Sequence, residues 1–202
     1  MNDEDTPLYA AAVDGQADEV AALLAAGADP NEESVQGTPL CAAACWGHTA
    51  VVRALLAAGA DPELAQEHDF TPLEWAALGL HTDTAQALLE GGADANGHGA
   101  PPLVLAADRG ALGVVRALLA HGADPSRRDD DGQTALDAAE DWAGVHVEAE
   151  LVAALPGDGP VEVTRTLRDG GTERIEVMRP SAGHSAVIET GHAQIVALLG
   201  NG

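Results

Sequence analysis

The chain has 202 residues, 46% of them hydrophobic and 21% charged, enough apolar material and length to bury a core. It carries 33 acidic residues against 9 Arg and no Lys, a formal charge of −24, which repels nucleic-acid phosphates and anionic membrane surfaces alike. Aromatics are only 2%, namely Tyr9, Trp46, Phe70, Trp75 and Trp142, so the core is built from Ala, Leu and Val, a composition suited to closely packed helices.

The first residues, Met1-Asn-Asp-Glu-Asp5, are acidic, unlike the basic start of a secretory signal. No apolar run approaches the ~20 residues that span a bilayer. Cys41 and Cys45 are the only cysteines and provide no disulfide framework. These features predict a cytoplasmic protein.

One phrase recurs along the chain. It reads Thr-Pro-Leu at 6–8, 38–40 and 71–73, Pro-Pro-Leu at 101–103 and Thr-Ala-Leu at 134–136, with spacings of 32, 33, 30 and 33 residues. A second phrase follows each of the first four: Leu23-Leu24…Gly27-Ala-Asp29, Leu55-Leu56…Gly59-Ala-Asp61, Leu88-Leu89…Gly92-Ala-Asp94 and Leu118-Leu119…Gly122-Ala-Asp124. Thr is a helix N-cap and Pro suits the first helical position. A short apolar helix follows, and Gly15, Gly47 and Gly110 end it. A second helix then presents residues such as Val51, Val52, Leu55 and Leu56 on one side, and Gly59 ends that one. Such a unit cannot bury its own apolar face, so neighbours must stack.

The period, the Thr-Pro-Leu start, Gly47-His48 and the Gly-Ala-Asp-Pro endings at 27–30 and 59–62 resemble the ankyrin repeat. The resemblance covers roughly residues 4–141 and extends to 191–200. It implies an all-α, ankyrin-type helical solenoid. One departure stands out: the family's His after Thr-Pro-Leu is replaced by Tyr9, Cys41, Glu74, Val104 and Asp137. The polar ladder that His makes is missing, and stability is expected to rest on apolar stacking.

The resemblance further implies a non-catalytic protein-interaction module with a concave groove made of first-helix ends and loop tips. At the helix ends, Val13, Asp14, Cys45, Trp46, Leu78, Gly79, Asp108, Arg109, Glu140 and Asp141 take those positions. At the tips stand Val35, Gln36, Asp69, Phe70, Gly97, His98, Asp130, Asp131 and Gln133. Trp46 and Phe70, on adjacent units, form a candidate contact patch. The segment Asp94 to Pro101 is three residues shorter than those from Asp61 to Thr71 and from Asp124 to Thr134, which predicts a stunted finger and a notch between units three and four.

After Asp141 the repeat breaks. Val147–Leu155 reads as a short helix and 156–160 as a loop. Residues 161–178 alternate like strands, with Asp169-Gly-Gly171 as the turn. A three-residue loop pairs Val163 with Val177 and Arg165 with Ile175, with the apolar residues on one face. The expected inserted element is therefore a β-hairpin near the C-terminus. The insertion is nearly neutral: 156–190 holds 4 Arg and 6 acids, whereas 1–155 holds 5 Arg and 27 acids, a net −22.

The repeat then resumes, since Gly191-His-Ala-Gln-Ile-Val-Ala-Leu-Leu199 echoes Gly47–Leu56. Either the fifth unit is split by an insertion of about 49 residues, or Val147–Leu155 is its second helix and 191–199 packs beyond it. The expected organisation is repeats over 1–155, with units starting near 6, 38, 71, 101 and 134, an insertion at 156–190 and a closing helix in 191–202.

Chemistry is sparse. Cys41 and Cys45 share a helix face without the further ligands a metal needs. His48, His81 and His192 stand at the family's structural position at the start of the second helix. Asp129-Asp-Asp-Gly132 lacks the closing Glu of a calcium loop. No catalytic, cofactor or metal residue is assigned. The partner expected is a basic protein, with no nucleic acid and no membrane, and the chain is expected to be monomeric. Ankyrin-like proteins also serve as immunity or inhibitor proteins, and a basic toxin or nuclease is the narrower candidate partner. A reading from another class is an enzyme or small-ligand protein, its site between the insertion and the last repeats and lined by Trp142, His146, His184 and Arg165.

Overall fold

The computed structural model describes residues 5–34, 36–65, 70–143, 152–153, 155–156, 160–167, 172–180 and 184–200, with the side chains of Arg179 and His184 left aside. Among the described residues five helix pairs run along it. The first helices are α1 (Pro7–Val13), α3 (Pro39–Cys45), α5 (Pro72–Leu78), α7 (Pro102–Asp108) and α9 (Ala135–Trp142). The second helices are α2 (Ala17–Ala25), α4 (Thr49–Ala57), α6 (Thr82–Glu90), α8 (Leu112–Ala120) and α10 (His192–Leu199). Each helix packs on its own partner and on its counterpart in the next unit, so two layers of helices advance in step.

The repeated phrase explains the local structure. The hydroxyl oxygens of Thr6, Thr38, Thr71 and Thr134 accept the amides of Tyr9, Cys41, Glu74 and Asp137, at 3.1, 3.2, 3.4 and 3.2 Å. Thr71 with Glu74 and Thr134 with Asp137 close full capping boxes. Pro101, which cannot cap, stands in the fourth unit. Between the layers lies one continuous core of Ala, Leu and Val, including Leu8, Leu40, Leu55, Leu73, Leu88 and Leu118, all essentially free of solvent. Short units hold together because this surface is shared between neighbours rather than enclosed by any one of them.

Apolar stacking is not the whole account, and the expectation on this point needs correcting. The His after Thr-Pro-Leu is indeed absent, but two other ladders cross the units. In the first, His48 Nε2 donates to the Val13 carbonyl at 2.9 Å, His81 Nε2 to Cys45 at 3.1 Å and His192 Nε2 to Asp108 at 2.9 Å. In the second, Asn31 Oδ1 accepts the Asp61 amide, Glu63 Oε1 the Asp94 amide and Asn96 Oδ1 the Asp124 amide, at 2.7, 2.9 and 2.8 Å. Polar groups in the turns are thus satisfied by a neighbouring unit.

The His ladder also explains its glycines. Gly15 and Gly47 have φ of +69° and +73°, and the ring of the following unit's His sits 2.6 and 2.5 Å from where a Cβ would be. In unit three the same place holds Leu80, at φ +62°, and the place of the following His is Ala111. Where no ring stacks, a side chain is tolerated.

The ladder also places α10. His48 bonds 35 residues back and His192 bonds 84 back, a difference of 49. Helix α10 packs on α9, with smaller contacts to α8 and α7, as a second helix does. Val147–Leu155, the competing candidate, falls largely outside the described residues.

The described residues of the insertion hold three strands, where a two-stranded hairpin was expected: β1 (Glu162–Leu167), β2 (Glu173–Arg179) and β3 (His184–Glu189), antiparallel in the order β1-β2-β3. Val163 faces Val177 and Arg165 faces Ile175, as the alternation predicts. The turn assigned to Asp169-Gly-Gly171 and most of the loop at 156–160 lie outside the described residues. The third strand meets the need of a marginal hairpin for further pairing, and it docks the sheet. Glu189 N donates to the Arg109 carbonyl at 2.9 Å and Gly191 N to the Gly110 carbonyl at 3.1 Å. Ile175, Val177, Ile188 and Leu155 form a second small core, against which Trp142 packs. The apolar face does not extend over β1, an edge strand, where Val163 is partly exposed and Leu167 is 74% exposed.

Candidate functional site

The positions assigned to the groove do not share one environment. At the helix ends, Asp14, Trp46, Asp108, Glu140 and Asp141 are exposed, whereas Val13, Cys45, Leu78, Gly79 and Arg109 are half-buried. Val13, Cys45 and Asp108 give their carbonyls to the His ladder, so their backbone is committed to the stack. At the tips, Asp130, Asp131, Gln36 and His98 are exposed and Gln133 is half-buried. Gln133 Nε2 donates to Asp141 Oδ2 at 2.9 Å, joining a tip to a helix end within the fifth unit. Gln36 Nε2 reaches Asp5 Oδ2 at 3.2 Å. Val35 and Asp69 lie outside the described residues.

The two aromatics expected to act together have different neighbours. Trp46 caps the end of α3 and is 62% exposed. Phe70 turns to Trp75, their ring centres 5.4 Å apart and the rings tilted by 46°. Among the described residues no ring contact joins Trp46 to Phe70. Sequence position placed both at the groove, but the half-buried Trp75 sits one turn from Phe70 and takes its ring, since an aromatic pair gains from tilted contact.

Trp142 is a joint. Its Nε1 donates to Asp108 Oδ1 at 3.0 Å, its ring stacks on His192 at 6.0 Å between centres, and it packs against the core of the sheet. Burial there holds His192 below the ordinary His range, despite its bond to the Asp108 carbonyl. Asp108 and Arg109, assigned to the groove, thus sit where the sheet meets the stack.

Beside the shortened loop between units three and four lies a buried acid. Glu74, with no solvent exposure, stands where the family has His. Its Oε2 accepts the Thr71 amide at 2.6 Å and the Thr71 hydroxyl at 3.0 Å, while Oε1 makes no hydrogen bond. The short loop comes close here: a Cβ on Gly97 would lie 3.0 Å from that oxygen. Nearby, His98 Nε2 meets Glu63 Oε2 at 2.9 Å. Burial raises the proton affinity of Glu74 above the usual carboxyl value of 4.5, and the Thr71 bonds and the Gly99 amide only partly offset it. An acid raised in the folded state contributes stability below its unfolded value, and that contribution is lost as pH rises through the folded one. Wild type is therefore expected to gain melting temperature relative to Glu74→Gln as pH falls from about 7 to about 4.5. Parallel melting curves at both pH values would show Glu74 to be indifferent to its burial.

The thiols are quiet. Burial pushes Cys41 up to about 11, and its Sγ donates to the Leu64 carbonyl at 3.3 Å; Cys45 is raised for the same reason. Among the described residues no group of three or more His, Cys, Asp or Glu is placed to hold a metal ion. A cleft of about 340 Å³ lies between the starts of the second helices and the sheet, lined by Gly47, Thr49, Leu80, His81, Thr82, Asp83, Thr84, Gly113, Thr172 and Glu189. Trp142 and Arg165, expected to line a pocket of the insertion, are not among these. His146 and the His184 side chain lie outside the described residues. No described helix is long and apolar enough to cross a membrane.

Two layers of repeated helix pairs, joined by fingers and capped by a small sheet, define a helical repeat solenoid. The family model for ankyrin repeats matches the chain in three copies, over residues 1–66, 58–129 and 76–155. The chain belongs to the ankyrin repeat family. Repeats of this family typically bind protein partners and are typically non-catalytic. A search of curated proteins found no match.

Proposed function

We propose that the protein is a non-catalytic interaction module that binds a basic protein through its acidic concave face. The observation that carries this reading is Trp46, a large aromatic left 62% exposed at a first-helix end in a chain of net charge −24. Exposed aromatic anchors supply much of the energy of an interface, and surrounding acids speed encounter with a basic partner. Asp14, Asp130, Asp131, Glu140 and Asp141, all exposed, supply that charge. In this reading the protein is a cytoplasmic monomer. Residues 1–155 and 191–202 form the binding stack, and 156–190 is an insertion upon it. A narrower form makes it a neutralising partner of a basic toxin or nuclease, since a row of carboxylates imitates a phosphate strand.

The test begins with capture of partners on the immobilised protein at low salt and their release at about 0.5 M salt, where exposed charges are screened within a few ångströms. Trp46→Ala is then expected to weaken binding of the captured basic protein about tenfold or more while the melting temperature stays within about 1 °C of wild type. Equal affinity of the two proteins, or binding indifferent to salt, would remove the reading. Inhibition of a captured nuclease would establish the narrower form.

A further inference from the structure

The cleft between the second helices and the sheet has no part in the reading above. Its volume of about 340 Å³ falls in the range of about 300–1,000 Å³ typical of small-ligand sites. Gly47 and Leu80, which line it, directly follow Trp46 and Gly79, so it begins where two of the groove positions end. The repeat builds one side of it. Thr49 opens α4, and Thr82, Asp83 and Thr84 open α6. Gly113, in the first turn of α8, brings no side chain, and a Cβ there would fall against the Thr82 hydroxyl. Thr172 and Glu189 of the insertion complete the lining.

The lining is rich in hydrogen-bond acceptors. Asp83 and Glu189 bring carboxylates, which only accept, and the four Thr bring hydroxyls, which accept as well as donate. The hydroxyls of Thr49 and Thr84 bond to each other at 2.8 Å. The His81 ring is tied to the stack through Nε2 and the Cys45 carbonyl. Among the described lining residues there is no Arg. Two side chains are left over. Thr172 is only 2% exposed, yet its hydroxyl makes no hydrogen bond among the described residues. Asp83, exposed at the rim, makes neither a hydrogen bond nor an ion pair among them.

A ligand that fits such a lining must bring donors, and a chain of net charge −24 repels an anion. The start of α6 alone favours negative charge, but Asp83 in its first turn already answers that dipole. A guanidinium offers five donors in a planar fork and no acceptor, so one group can serve several acceptors at once. We propose that this cleft is a binding site for a guanidinium group, supplied by an arginine side chain of the basic partner. The source of the arginine rests on the partner reading above, whereas the site itself needs neither Trp46 nor the exposed acids named there.

The test adds Nα-acetyl-arginine amide at low salt to the nitrogen-15-labelled full chain, with Nα-acetyl-citrulline amide as its uncharged isostere. The arginine probe is expected to shift the amide signals of Thr82, Asp83, Thr84, Gly113 and Thr172 saturably. The citrulline probe is expected to bind about tenfold more weakly, for want of charge-assisted hydrogen bonds. Asp83→Asn is expected to weaken the arginine probe by a similar factor, and Thr172→Val, which keeps the shape without the hydroxyl, by a few-fold. Asp18→Asn makes the same change at the same place in α2, away from the cleft, and is expected to leave the probe unaffected. Asp83→Asn is also expected to weaken the captured basic partner about tenfold with Trp46 intact. No saturable shift, equal binding of citrulline, or undiminished probe affinity in Asp83→Asn overturns the site. A partner that binds Asp83→Asn as tightly as wild type overturns the assignment to its arginine. If capture yields no basic partner, the partner reading and the source of the arginine fall together, while the probe still decides the site.

Discussion

Gly110→Ala is expected to destabilise the protein by about 3 kcal/mol or more, as the sum of a left-handed backbone penalty and two lost interelement hydrogen bonds. Gly110 has φ +68°, and an added Cβ would fall against the Glu189 carbonyl and 2.6 Å from His192 Cε1. Those neighbours are the end of β3 and the start of α10. To make room, the chain must release Glu189 N from the Arg109 carbonyl and Gly191 N from the Gly110 carbonyl. The proper comparison is Gly122→Ala, at φ +86° with nothing within 4 Å of the added carbon. That change pays the backbone penalty alone, about 1 kcal/mol. Urea unfolding of both variants measures the difference. Equal losses would mean that the sheet and α10 do not depend on the α7–α8 turn.

Trp142→Ala is expected to cost about 2–3 kcal/mol, below the loss for a fully buried Trp because the ring is half-buried. It removes the bond to Asp108, the stack on His192 and one wall of the sheet's core together. Without the ring, water reaches His192, whose proton affinity should rise toward the ordinary value because burial is what lowers it. An NMR titration of the His192 ring in the two proteins tests this second effect separately from stability. Trp46→Ala, with its ring in solvent, should leave both quantities nearly unchanged. A Trp142 variant as stable as the Trp46 variant would deny the joint any anchoring role.

Both predictions concern the insertion, the part of the chain where residue pattern told least. The repeat told much more. Thr6, Thr38, Thr71 and Thr134 declare helix starts because capping is decided within four residues. The register of Val163 with Val177 was legible for a similar reason, since alternation and turn length bind neighbouring strands. Strand β3 had a weaker signal: a turn-like Pro180-Ser-Ala-Gly183 followed by Val187 and Ile188. Its docking on Arg109 could not be read, because the residues joined are eighty positions apart in different kinds of structure.

The groove shows the same division. Trp46 is exposed, as its place at the end of a first helix implied. Phe70 has an equally suggestive place, yet its ring belongs to Trp75. Arg109 is equivalent by count to an exposed groove residue, but the sheet covers its turn. By itself, the order of residues determined the repeat, its caps and its stacked apolar faces, because each follows from contacts within a unit or between identical units. Which turn the sheet would cover and how Glu74 would lie against the shortened loop were decided only in the folded chain. Those contacts join unlike segments far apart in sequence, and no periodicity records them.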